Sequence, residues 1–421
     1  MASPAATLNK PQSLGHEETR SGSVARPGYN VALGYLRGFL VVLVLAHHSV
    51  LAYIWAPPQT ATLLAHRTSL LSQPRLWPAF PVWGDVHWAG FSLFVWFNDN
   101  FFMSLMFLVS GLFVWASLQR KGSASFIRDR ARRLGIPFLF AAALVAPVAY
   151  YPAYLMTGAH GLGGYVREWL ALGGWWPAGP AWFIWLLLAF DLATGAMFAA
   201  MPRFGDAIGR LASNGREHPV RFFWLLVGAS AAAYIPMAGV FGPLNWTMFG
   251  PFEFQTARLF HYAVYFLAGI AVGANGSERG LLAPDGKLAR RWARWTILMI
   301  ATFLTFVALV AAGQGRTPSP AEAAIVGGAI FALACGTSSF AFLALFVRFA
   351  RRRFWVFDSL SDNEYGMYLI HYMFVSWVQF AILGLALPAI GKGLLVFATV
   401  LLLSWGTSAA IRGIPLVSRI V

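Results

Sequence analysis

Residues 99–118 read DNFFMSLMFLVSGLFVWASL, and residues 119–135 read QRKGSASFIRDRARRLG. The first stretch holds twenty residues and one charge, Asp99; the second holds six basic residues, Arg120, Lys121, Arg128, Arg130, Arg132 and Arg133. About 20 mostly apolar residues at a helical rise of about 1.5 Å cross the hydrocarbon core of a bilayer. Cytoplasmic flanks of such spans collect Lys and Arg. The pair of stretches therefore predicts a membrane-crossing helix that ends in the cytoplasm.

The pattern repeats along the chain. Apolar runs predict helices at 31–55, 99–118, 136–157, 181–201, 222–241, 259–274, 295–313, 323–347, 364–388 and 391–411. The basic residues between them alternate, with 24 Lys or Arg on one side of the frame and 6 on the other, Arg37 lying inside the first span. A wrong number of spans would scramble that alternation. The expected fold is all-α: a polytopic membrane protein of about ten spanning helices, with N and C termini cytoplasmic. Residues 29–411 form one membrane domain, 1–28 read as a disordered cytoplasmic tail without an apolar signal-peptide core, and 412–421 as a short cytoplasmic tail. The outer loop 56–98, with Pro57, Pro58, Trp77, Pro78, Pro81, Trp83 and Trp88, reads as ordered at the interface.

Composition agrees. Of 421 residues, 58% are hydrophobic and 11% charged, where a soluble domain carries roughly 25% charged residues. The net charge of +15 would suggest nucleic acid in a soluble protein, but here it is spread over short loops and sets topology instead. No nucleic-acid partner is expected. The single Cys335 excludes a disulfide framework.

Ionisable residues inside spans are costly and face functional cavities. The first helix holds Arg37, His47 and His48. Arg37 and His48 lie eleven residues apart, three turns with only about 20° left over and a rise of about 16 Å, so both point to one face. His47 lies about 80° off that face. A cation near the cytoplasmic mouth and an imidazole near mid-membrane suit an anionic ligand whose reactive end reaches inward. The same residues suit a snorkelling Arg and a His bonded to a neighbouring helix. They also suit a transporter or flippase that passes an anionic solute along Arg37 and His48. In the second span Ser110-Gly111 reads as a close helix crossing, and Asn98, Asp99 and Asn100 at its outer end as a cap or an acceptor contact. Arg130 and Arg133 share a helix face, placed either for phosphate or for lipid headgroups. Trp182 opens the fourth span, and Tyr365 and His371 open the ninth.

Taken together, these segments resemble the acyltransferase 3 family of integral membrane O-acyltransferases. Leu36-Arg37-Gly38 followed by His48 matches its first-helix Arg-x10-His pattern, and Phe107 to Gly111 its FFxxSG segment. Phe126 to Pro137 resembles its RxxR…P segment, Trp182-Phe183 its WF segment, and Tyr365 to His371 its SYGIYLIH segment. Two departures stand out: Glu364 replaces the usual Ser before Tyr365, and Gly135 lengthens the step from Arg133 to Pro137. Neither is expected to touch the Arg37/His48 pair. The resemblance implies transfer of a small acyl group, most often acetyl and in some members succinyl, from cytoplasmic acyl-CoA. The acceptor is a hydroxyl of an extracytoplasmic glycan, lipid-linked sugar or small molecule, across a bacterial inner membrane. Some members carry a further hydrolase-like domain outside; without one, this form resembles those that modify glucans and small molecules. The resemblance also implies His48 as general base, with Arg37, Arg130 and Arg133 holding the CoA phosphates and Ser110, His47, Trp182, Tyr365 and His371 lining the site. Acyl-CoA is then a co-substrate; no resident cofactor and no metal are expected. The outer loops carry no motif that names the acceptor, and nothing sets an oligomeric state.

Overall fold

The computed structural model describes residues 30–276, 279–313 and 319–414. The two tails read from the sequence, 1–28 and most of 412–421, fall outside these residues, as does Arg316. Within them the chain is a helical bundle. We number its long helices α1 (Val31–Tyr53), α2 (Ala89–Lys121), α3 (Ser123–Leu155), α4 (Gly179–Ala200), α5 (Pro219–Phe241), α6 (Thr256–Ala274), α7 (Trp292–Ala312), α8 (Ala321–Phe349), α9 (Trp355–Ala381) and α10 (Ala389–Arg412). Nine of these described helices are long and apolar enough to cross a membrane. The other, α9, has 27 residues but opens on Asp358, Asp362 and Glu364. It packs against α1, α3 and α10 within the bundle.

Three helices begin well before the apolar runs suggest, among them α9, which starts at Trp355 and not at 364. Helix α2 starts at Ala89 and not at 99, because Phe91 to Phe97 extends the apolar run beyond the Asn98-Asp99-Asn100 triplet. The triplet marks a break in the helix before it resumes at Phe102. Helix α3 starts at Ser123 and not at 136, so the basic segment and the span are continuous. Its helix widens to a π-turn over Ala131–Gly135. Such a turn accommodates one extra residue, which is how the chain absorbs the lengthening at Gly135.

Gly111 sits at a second break in α2, where α2 meets α6. A Cβ on Gly111, Gly269 or Gly273 would collide with the backbone of the facing helix. Only glycine lets the two backbones approach this closely, the usual basis of small-residue crossings in membranes.

Helices α1 and α9 run parallel, with polar bonds at several levels. Tyr35 Oη donates to Asp358 at 2.9 Å, and Ser361 Oγ to the Gly34 carbonyl at 2.9 Å. Further along, Gln379 Nε2 donates to the carbonyls of His48 and Ser49 at 3.0 and 3.1 Å. Parallel direction is what two odd-numbered spans of an alternating frame must show. Helix α9 also completes α3. Pro137 and Pro152 have no N–H for the carbonyls of Arg133 and Val148, four residues back. Tyr365 Oη and Trp377 Nε1 of α9 donate to those carbonyls at 2.8 and 3.0 Å.

The loop between α1 and α2 is ordered, as its Trp and Pro content suggests. It contains a helix, Pro58–Ala65. Buried Arg67 donates to the carbonyls of Leu64, Phe80 and Pro81. Lys392, fully buried, ties the loop to α10 through Asp85 at 2.6 Å and the Leu383 carbonyl at 2.7 Å. Beside it, strands β1 (Trp246–Phe249) and β2 (Phe252–Gln255) form an antiparallel hairpin. Its turn is laced to the segment before α4 by Gly250 N–H to the Gly174 carbonyl and Trp176 N–H to the Gly250 carbonyl.

Candidate active site

Arg37 and His48 both face α9, as their spacing requires. His48 Nδ1 lies 3.0 Å from the Val44 carbonyl one turn back and 3.2 Å from His371 Nε2. His371 Nδ1 lies 2.6 Å from the Tyr368 carbonyl. A carbonyl only accepts, so both Nδ1 atoms carry the proton. This assigns the tautomers through the network: His371 presents a bare Nε2 to His48, and His48 keeps a bare Nε2 of its own. That Nε2 makes no hydrogen bond among the described residues, and His48 is only partly buried. Tyr372 closes one side, its ring 5.2 Å from that of His48 and nearly perpendicular.

A cavity of about 300 Å³ lies between α1, α2, α3, α4 and α9. Its polar walls are Arg37, Ser110, Arg130, Arg133, Asp191, Glu364, Tyr365 and Tyr368, and its apolar walls include Leu40, Met106 and Phe183. Five residues singled out in the sequence therefore meet here: Arg37, Ser110, Arg130, Arg133 and Tyr365. His48 and His371 do not line the cavity. Tyr368 does, and it stands directly before His371, with ring centroids 5.7 Å apart. Its hydroxyl is held by the Pro180 carbonyl at the start of α4.

The charges in the cavity correct one expectation. Glu364, the departure from the family pattern, does touch the Arg37/His48 pair: it is the ion partner of Arg37. Arg37 and Glu364 are 327 residues apart in the chain, so only the parallel packing of α1 on α9 brings them together. Arg130 is paired as well, its Nε 3.2 Å from buried Asp191 of α4. Arg133 makes no ion pair among the described residues, and its carbonyl anchors Tyr365.

The remaining candidates lie elsewhere. His47 points away from the cavity and stacks on Phe102, centroids 5.1 Å apart. Trp182 stacks on Tyr262 at 5.7 Å and meets Trp246 edge-on; its neighbour Phe183 reaches the cavity instead. Asp99 is the ion partner of buried Arg258, 2.6 Å away. Asn98 and Asn100 are buried beside it, with no hydrogen bond on either side-chain atom of Asn98 or on Nδ2 of Asn100. Asp191, Glu364, Tyr368 and Tyr372 were not among the residues the sequence reading chose. Asp191 had a signal: it is the one acid in the apolar run 181–201, where a charge is costly.

The membrane bundle thus holds an arginine-lined cavity and, beyond Tyr368, a histidine pair fixed by hydrogen bonds. The Acyl_transf_3 family model, described as an acyltransferase domain, matches residues 30–409, nearly the whole described chain. The chain belongs to this family, the acyltransferase 3 family, and is a multi-pass membrane acyltransferase. No curated protein and no solved structure matches it.

Proposed function

We propose that the protein transfers a small acyl group, acetyl or succinyl, from cytoplasmic acyl-CoA to a hydroxyl of an extracytoplasmic acceptor. The acceptor is a glycan, a lipid-linked sugar or a small molecule, and His48 is the general base. The observation that carries this reading is the free Nε2 of His48, with Nδ1 tied to Val44 and His371. A base needs a lone pair where the acceptor hydroxyl arrives and a fixed ring behind it.

In the reaction, His48 Nε2 takes the proton as the hydroxyl oxygen attacks the thioester carbonyl. The tetrahedral intermediate collapses, the C–S bond breaks, and the leaving thiolate recovers the proton from His48. His371 holds the ring and, through Nε2, accepts from His48 Nδ1–H while the imidazolium exists. Ser110 faces the cavity and contributes a hydroxyl to the wall that the donor arm passes. Arg133, without an ion partner, attracts the donor phosphates at the basic end. Arg37 and Arg130, each already paired, shape the wall that the donor arm passes. Tyr368 lines the cavity next to His371, which in turn contacts His48, so the thioester passes Tyr368 on its way to the base.

The test is an assay of purified protein in lipid nanodiscs with labelled acetyl-CoA and membrane glycan extracts. Release of CoA with label on acceptor is expected, and loss of both in His48→Ala with normal insertion. Transport of an anionic solute by vesicles containing the protein, without consumption of acyl-CoA, would establish the transporter reading instead.

A further inference from the structure

Two carboxylates of the cavity have no part in the chemistry above. Asp191 is 1% exposed, and among the described residues neither of its oxygens makes a hydrogen bond; it is held by the ion pair with Arg130. Glu364 gives Oε1 to Arg37 and leaves Oε2 buried and without a partner. Both residues line the cavity. Asp191 Oδ1 and Glu364 Oε2 are thus buried in the cavity wall with no donor among the described residues, a costly arrangement in a membrane interior.

Charge decides what can satisfy them. Two of the three arginines of the cavity arrive already neutralised. A phosphate set on Arg37 or Arg130 would stand beside a carboxylate, like charge against like charge. The orphaned oxygens lack N–H or O–H donors, not cations. Size points the same way: about 300 Å³ is at the small end of ligand pockets, room for the arm of a CoA-sized donor and not for all of it.

We propose that Glu364 and Asp191 form a subsite for the uncharged, donor-rich arm of the acyl carrier. It takes the amide N–H and hydroxyl groups of the pantetheine portion, while the phosphates stay at the rim with Arg133. The inference rests on acyl-CoA being the donor. It makes Glu364 a specificity residue of this chain, standing where the family pattern has a serine that would leave Arg37 uncompensated.

Binding to the purified full chain in nanodiscs, followed by competition with labelled acetyl-CoA, tests it with two probes: acetyl-pantetheine, and the adenosine bisphosphate half of CoA. Both should compete in the wild type. Glu364→Gln and Asp191→Asn should each weaken acetyl-pantetheine about tenfold, the size of one charge-assisted hydrogen bond, and leave the bisphosphate half within about twofold. If either variant instead tightens the bisphosphate half, the carboxylates compete with phosphate for the arginines, and the subsite is wrong while the donor stands. If the wild type binds acetyl-CoA but acetyl-pantetheine does not compete, the subsite is again wrong. If the wild type binds neither acetyl-CoA nor its halves, the donor assignment fails and the subsite with it. Should one variant fail to fold, the other and the wild-type competition decide.

Discussion

Two histidine nodes of the protein differ in one respect. His261 of α6 has both ring nitrogens occupied: Nε2 lies 2.9 Å from Ser104 Oγ, and Nδ1 lies 2.7 Å from Ser230 Oγ. Cys335 Sγ adds a contact at 3.6 Å. Four helices meet there, and every polar atom of the ring is used. His48 has one nitrogen occupied and one open. A histidine whose nitrogens are all bonded can hold helices together but has no lone pair to offer a substrate. A histidine fixed at one nitrogen can do both. The same contrast separates the paired cations. Arg67 and Lys392, near the outer loop, are satisfied by carbonyls and Asp85. Arg37 and Arg130 pair with carboxylates of the cavity wall that keep unmet acceptors among the described residues.

The comparison breaks most easily at the two histidines themselves. His48→Ala is expected to lower acyl transfer by about 10³-fold or more, the loss of a general base, with the melting temperature little changed. His261→Ala should do the reverse. It leaves two buried hydroxyls without partners, which costs about 1–3 kcal/mol of stability for each, while turnover per folded molecule stays within a few fold. Turnover measured beside thermal unfolding in the same nanodisc preparation checks both. A folded His261→Ala protein without activity would mean that the fully bonded node is also part of the reaction.

His371 sharpens the contrast, because it acts through His48. His371→Asn removes the acceptor that steadies Nδ1–H, and kcat should fall about 10- to 100-fold with KM for acyl-CoA nearly unchanged. His371→Gln, long enough to place its amide oxygen toward His48, should recover part of that loss. Equal effects on kcat and KM in both variants would place His371 against the substrate instead. A smaller effect is expected at Tyr365. Tyr365→Phe deletes the donor to the Arg133 carbonyl that Pro137 leaves open, so Arg133 loses a positioning contact worth about 1 kcal/mol. KM for acyl-CoA should rise a few fold and kcat stay level, as steady-state kinetics would show.

Much of this was legible in the amino acids. The helix frame followed from apolar runs and alternating Lys and Arg, and the eleven-residue spacing was enough to put Arg37 and His48 on one face. Ser110, Arg130, Arg133 and Tyr365 were found by their local patterns and meet in the cavity. Local patterns failed where the deciding contact joins distant spans. Glu364 looked like a simple substitution next to Tyr365, because nothing nearby in the chain announces Arg37. Trp182 looked like a wall of the site, yet rotation of α4 turns Phe183 there instead. The Asn98-Asp99-Asn100 triplet looked like a helix end, yet it interrupts a helix that had begun at Ala89, because the apolar run on its far side is long enough to be helical.

Glu253 of β2 gives the smallest effect and tests the comparison from the outer side. Its carboxyl is buried where the hairpin meets α4 and accepts the backbone N–H groups of Ala178 and Gly179; burial outweighs them and pushes its pKa up to about 8. The unfolded chain would release the same proton near pH 4.3. The folded protein therefore binds it more tightly, so the stability linked to it is full below about pH 4 and is lost as pH rises through about 8. Glu253→Gln cannot titrate. The wild-type melting temperature should fall relative to that of Glu253→Gln between about pH 5 and pH 8, and the difference should level off above that. Parallel curves would mean that the N–H groups already balance the buried charge. In either case Glu253 belongs with His261, Arg67 and Lys392: its partners are supplied by the fold, and a pH step at this residue should move unfolding rather than the affinity for acyl-CoA.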